Sequence, residues 1–194
     1  MAIKTFTAGS VLTASDTNTY LANAGLDYIT EVLVTAGASP TVSINNCFSG
    51  TYDNYRIVVD DWQPSSASQS LDIRLRVSGA DASGADYAGS YTGIYLDGTS
   101  AAANYTAGTR MQLATFNSTT TLPVGSATFD VISPFRAQRT YALGVAILFN
   151  TQFGTRQFMG VHGLSTSYTG ITFLPNVTGN ITKLRVRIYG YRQA

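Results

Sequence analysis

The chain has 194 residues, with twelve basic and eleven acidic side chains and a formal charge of +1. That length suits one domain of ordinary size, or one domain with a short arm. The single cysteine, Cys47, excludes an internal disulfide and a cysteine-based zinc site, and the near-neutral balance excludes the basic footprint of a nucleic-acid binder or a polybasic membrane patch.

Charged residues make up only 12% of the chain, against about 25% in an ordinary domain. Polarity comes instead from 26 Thr, 18 Ser and 10 Asn, accompanied by 18 Gly and 12 Tyr. Such a composition favours turns and β-branched strands over solvated helices. It also suits a surface partly covered by neighbouring subunits, where charge is costly to bury. No apolar run approaches the ~18 residues of a membrane helix. The opening Met1-Ala2-Ile3-Lys4-Thr5-Phe6 lacks the apolar stretch of a signal peptide, so synthesis in a cytoplasm is expected. Sequons at Asn104, Asn117, Asn176 and Asn180 read as by-products of the Asn/Thr-rich composition.

The first 26 residues differ from the rest. Thr13-Ala14-Ser15-Asp16 has the Thr-x-x-acid form of a capping box, with Asp16 well placed in the positive first turn of a helix. A short helix is predicted over residues 14–23, stopped by Asn23 and Gly25. Two or three turns are not stable alone in water, so this helix must dock on its own body or on another chain. From Tyr28 onward the pattern is β. Strands are predicted at 28–35, 41–48, 52–62, 71–77, 90–96, 110–116, 125–132, 139–149, 156–163, 170–174 and 181–188, separated by Gly, Ser, Asn and Pro clusters. In 71–77, Leu71, Ile73, Leu75 and Val77 take one face and Asp72, Arg74 and Arg76 the other. Near Thr182 the alternation shifts once, which suggests a bulge. Tyr141–Phe149 is almost entirely apolar and reads as a central strand covered on both faces. About ten short strands and one helix predict an all-β antiparallel β-sandwich (residues 27–194), jelly-roll-like by preference with an immunoglobulin-like topology as the alternative, preceded by an N-terminal arm (residues 1–26).

One segment resembles a known family. Phe6-Thr7-Ala8-Gly9-Ser10-Val11-Leu12-Thr13-Ala14-Ser15-Asp16-Thr17-Asn18-Thr19-Tyr20-Leu21 is similar to an opening segment of tailed-bacteriophage virion proteins. Its usual form is aromatic-x-Ala-Gly-x-x-Leu-Thr-Ala-x-Asp-x-Asn-x-x-Leu, and every fixed position is met. Tyr52-Asp53-Asn54-Tyr55-Arg56-Ile57-Val58-Val59, with Leu71–Arg76 after it, resembles the β-domain that often follows. The resemblance covers about 45 residues. It implies a virion protein made in the host bacterial cytoplasm, whose partners are the major capsid or a tail protein and further copies of itself, commonly as a homotrimer. Phe6, Val11, Leu12, Tyr20 and Leu21 would attach the arm to the virion.

Little in the chain points to catalysis. The lone His162 lies near Ser165 and Ser167 without a Gly-x-Ser-x-Gly motif, and Glu31 is the only glutamate. Cys47 reads as a buried, inert thiol. Asp60-Asp61 and the Asp81–Asp86 loop offer oxygen ligands but match no calcium motif and read better as turn chemistry. Tyr91 and Tyr95, four residues apart on one strand face, with Tyr105 nearby, are either core or a contact surface for glycan or a subunit. Trp62 reads as core. The rows Arg74/Arg76 and Arg185/Arg187 read as solvated or interface faces, too few for nucleic acid. The expectation is a non-enzymatic protein of the virion exterior, either capsid decoration (cement or knob-like) or a short tail fibre. No catalytic residues, metal or cofactor are expected, and neither nucleic acid nor membrane is an expected partner. The alternative is a receptor- or glycan-binding module contacting the host surface.

Overall fold

The computed structural model describes residues 7–9, 11, 13, 25–35, 37, 39–66, 69–116, 125–150 and 152–192. The predicted helix over 14–23 lies outside them. Thirteen strands are found among the described residues. They are β1 (Leu26–Val34), β2 (Val42–Ile44), β3 (Asn54–Pro64), β4 (Gln69–Val77), β5 (Ala80–Asp81), β6 (Tyr87–Tyr95), β7 (Ser100–Gly108), β8 (Met111–Phe116), β9 (Gly125–Ile132), β10 (Thr140–Asn150), β11 (Gln152–His162), β12 (Gly170–Pro175) and β13 (Ile181–Tyr191).

The strands form a jelly-roll-like β-sandwich. One layer runs β1-β13-β3-β9-β10-β11-β6-β7 and the other β2-β12-β4-β8, with the short β5 on the end of β4. All pairings are antiparallel except a single parallel bridge, Phe149 to Phe116, that joins the layers. Alternation decides which face is core. Tyr55, Ile57 and Val59 of β3, Phe129 and Val131 of β9, and Leu184, Val186 and Ile188 of β13 point inward and are buried. They meet Leu71, Ile73 and Leu75 of β4 and Ile171 and Phe173 of β12 across the sandwich. Trp62 and Cys47 join this core.

The ladder β3–β13 slips between Ile181 and Arg185, where the sequence pattern shifts near Thr182. A second bulge lies between Val59 and Trp62, and there Asp61 takes a positive φ of 54°. Two strands carry no strand signal of their own. β5 exists because Ser78 and Gly79 both have positive φ (52° and 79°), which closes a two-residue hairpin pairing Val77 with Ala80. The sequence of β7, with four Ala, one Asn and one Gly in nine residues, has poor strand propensity. It is held by the turn after β6, where Asp97 Oδ1 accepts from Thr99 N at 2.9 Å and Tyr95 N donates to Thr99 O at 2.9 Å.

The reading of β10 as covered on both faces needs correction. Its inward residues are small: Ala142, Gly144 and Ala146. Its large residues, Tyr141, Leu143, Val145 and Ile147, point outward and are exposed. The inner side has no room for bulk, because Gly144 pairs with both Phe129 and Phe158 and those rings meet edge to face at 5.8 Å.

Candidate functional site

The outer face of the larger layer is divided into two halves. On β1, β13, β3 and β9 it is ionic. Arg56 grips Asp130 through two hydrogen bonds of 2.9 Å, and Tyr191 donates to the same carboxylate at 2.7 Å. Arg187 pairs with Asp60, and Arg192 holds Asp27 at 2.7 Å. The hydrogen bond from the Arg192 guanidinium keeps the Asp27 carboxyl below the usual carboxylate range, against the opposing effect of burial. On β10, β11 and β6 the same face carries no charge. Register places Leu143 beside Met159, Val145 beside Gln157 and Ile147 beside Thr155, which in turn neighbours Ile94. Tyr141, Leu143, Val145, Ile147, Met159 and Ile94 are each 39–63% exposed. Between them runs an open groove of ≈ 470 Å³ lined in part by Ser90, Thr92, Leu143, Val145, Gln157 and Met159. A monomer exposes isolated apolar residues as a matter of course; here six lie together on adjoining strands, with Ser90, Thr92, Thr155 and Gln157 among them, and form one exposed, largely apolar patch.

The residues singled out in the sequence fall elsewhere. Phe6, Leu12, Tyr20 and Leu21 lie outside the described residues. Val11 is 83% exposed. Tyr91, Tyr95 and Tyr105 pack inward against the core. The Arg156 guanidinium lies 3.0 Å from the Tyr91 ring centroid. The Tyr105 hydroxyl accepts from Gln112 N at 3.2 Å. The Arg74/Arg76 row is wired rather than solvated. Arg76 pairs with Asp81 and donates to Asn45 Oδ1, Ser43 Oγ and Thr172 Oγ1 at 2.7–3.0 Å. That network occupies Asp81, and Arg187 occupies Asp60, so neither offers an open carboxylate. No group of three His, Cys, Asp or Glu able to hold a metal is found among the described residues.

The signal for the apolar face was present in the sequence. In Tyr141-Ala142-Leu143-Gly144-Val145-Ala146-Ile147 large and small residues alternate with a period of two, and a strand buried on both faces has no reason to alternate in size.

His162 and Cys47 are structural. His162 is buried between Tyr87, whose ring centroid lies 4.3 Å away, and Tyr168, whose hydroxyl is 2.8 Å from Nδ1. Burial lowers the His162 pKa, and burial pushes the Cys47 thiol up to about 12, far from a reactive thiolate. Replacing Tyr168 by phenylalanine is expected to leave Nδ1 without this partner and to cost about 1–3 kcal/mol, read by denaturant unfolding. A loss under about 0.5 kcal/mol would mean that the hydrogen bond contributes little.

No family model, no curated protein and no solved structure matches this chain.

Proposed function

We propose that this protein is a non-enzymatic structural component of the exterior of a tailed-phage virion. It would be a capsid-decoration, cement or knob-like protein, attached to a capsid or tail protein through its N-terminal arm and assembled as a homotrimer. The observation that carries this reading is the segment Phe6–Leu21, which meets every fixed position of the phage-virion pattern. The body is consistent with such a role. It is a β-sandwich with an uncharged, largely apolar patch on one half of an outer face, and its one histidine is locked between two tyrosines. The alternative, a short tail fibre or host-glycan module, is less well supported. Tyr91, Tyr95 and Tyr105 pack against the core instead of forming an outward stacking platform.

The test is a deletion. β1 begins at Leu26, and Gly25 O accepts from Arg192 N at 3.1 Å, so the cut belongs before Gly25. Removing residues 1–24 is expected to leave the Tm within about 3 °C of the parent, equivalent to roughly 1 kcal/mol in a domain of this size. Binding to phage particles that lack the protein, measured by co-sedimentation, is expected to disappear. Full binding by the truncated chain would overturn attachment through the arm, and failure of the intact chain to bind any particle would overturn the virion assignment.

A further inference from the structure

We infer that the uncharged outer face of β10, β11 and β6 is the surface through which copies of this chain associate. The inference rests on the assembly reading above and names the surface that performs it. Three observations converge on a second copy as the occupant. The first is charge. Every outward position of these strands among the described residues is apolar or neutral, from Tyr141, Leu143, Val145 and Ile147 to Thr155, Gln157, Met159 and Ile94. A charged partner gains nothing there. The rest of this outer face carries Arg–Asp pairs, so the patch's best match on the molecule is the same patch on another copy.

The second observation is area. At about 200 Å² for a fully exposed residue of this size, Tyr141, Leu143, Val145, Ile147, Met159 and Ile94 present roughly 600 Å² of accessible surface. The intervening Ser90, Thr92, Thr155 and Gln157 extend the patch toward the ~800 Å² per partner of a stable interface and supply hydrogen-bonding groups within it. The third observation is the neighbouring edge. Among the described residues β7 closes the layer and pairs only with β6. Its nine residues, Ser100–Gly108, include no charge and no proline. An edge without those protections is a pairing hazard unless an assembly covers it. Patch and edge are continuous, since Ile94 pairs with Ser100. Three copies around one axis would turn three such faces inward and cover three such edges.

The test places a lysine in the centre of the patch. Val145→Lys is compared with Leu33→Glu, an exposed residue at the far end of the same outer face that neighbours Arg185. Analytical ultracentrifugation of the full chain at micromolar concentration is expected to give a trimer for the parent and for Leu33→Glu. A folded monomer is expected for Val145→Lys, with self-association weakened at least 100-fold. Should Val145→Lys fail to fold, Val145→Cys and Leu33→Cys give the second measurement, because the native Cys47 is buried. In the assembly, maleimide labelling of the Val145→Cys variant is then expected to run at least tenfold slower than that of the Leu33→Cys variant. A monomeric parent overturns both this surface and the trimer, even if that monomer still binds particles. An oligomeric parent unaffected by Val145→Lys, or equal labelling rates, overturns the surface alone. A parent dimer that Val145→Lys dissociates supports the surface and overturns the trimer.

Discussion

Replacing Gly144 by alanine is expected to cost about 3 kcal/mol or more, a large loss for the addition of one methyl group. Strand propensity alone predicts the opposite, because alanine suits a strand better than glycine does. The neighbours reverse the sign. A Cβ built on Gly144 would stand 2.3 Å from Thr128 O and 2.4 and 2.6 Å from Phe129 Cβ and Cα. Two of those three atoms are main chain, and β9 is fixed on its other side by β3, so no side-chain rotation relieves the overlap. Either β9 and β10 separate or β10 twists, and both outcomes disturb the Phe129–Phe158 contact above the glycine. Overpacking of this kind reaches the upper end of the usual range of about 1–3 kcal/mol. Gly50 is the control. Its nearest neighbours are ring carbons of Phe135 at 3.5 and 3.7 Å, an ordinary contact, and Gly50→Ala should change stability by no more than about 0.5 kcal/mol. The midpoints of urea unfolding compare the two. A Gly144→Ala variant as stable as the parent would show that the strands yield at little cost.

The same glycine explains what the sequence disclosed and what it concealed. Strands with clean alternation were legible: Leu184-Arg185-Val186-Arg187-Ile188 separates core from surface by polarity, and Leu71-Asp72-Ile73-Arg74-Leu75 does so at every position but Asp72, which is buried. Their placement as core strands of a sandwich follows from that pattern. β10 separates its faces by size instead, and a hydropathy reading sees only an apolar run. The inversion depends on bulk delivered from elsewhere. Phe129 of β9, with Phe158 and the Tyr91-capped Arg156 of β11, fills the space that β10 leaves. Met111 likewise packs on Gly160, where an added Cβ would lie 3.0 Å from its side chain. None of those neighbours lies in the same local window, so the size alternation of Tyr141–Ile147 marks two unlike faces without saying which of them is core. β7 was hidden for a different reason. Its pairing follows from the turn at Asp97–Thr99, while the residues themselves, Ser100-Ala101-Ala102-Ala103-Asn104, have no preference for a strand. The apolar face and its adjoining edge thus lie where local propensity carries the least information.

Asp72→Asn is expected to stabilise the protein at pH 8 by about 2–4 kcal/mol and to leave it nearly unchanged at about pH 4. Asp72 has no exposed surface, on a strand whose alternation places it opposite the core residues Leu71 and Ile73. Burial raises its pKa to about 7, against the opposing pull of the Ser70 hydroxyl, which donates at 2.9 Å, and of Arg110, Arg156 and Arg74. Arg110 does not rescue the charge, because its Nε stays 3.6 Å from Oδ2, beyond hydrogen-bonding distance. The sign follows from proton binding. Between about pH 4 and pH 7 the folded chain holds a proton on Asp72 that the unfolded chain has released. The contribution of this carboxyl is therefore complete below the unfolded value and is lost as pH rises through the folded one. His162 acts in the opposite sense. Its lowered pKa makes stability fall as pH drops below its ordinary value near 6.5, so the parent's total profile mixes two slopes. The difference between parent and variant isolates Asp72. Asparagine can turn its carbonyl toward Arg110 and donate its amide to Ser70 Oγ, so the site keeps its hydrogen bond without a buried charge. Urea unfolding of both proteins from about pH 4 to about pH 8 reads the effect as a gap that opens with rising pH. A gap independent of pH, or a variant less stable at the alkaline end, would mean that the Asp72 carboxylate is ionised and satisfied inside the sandwich.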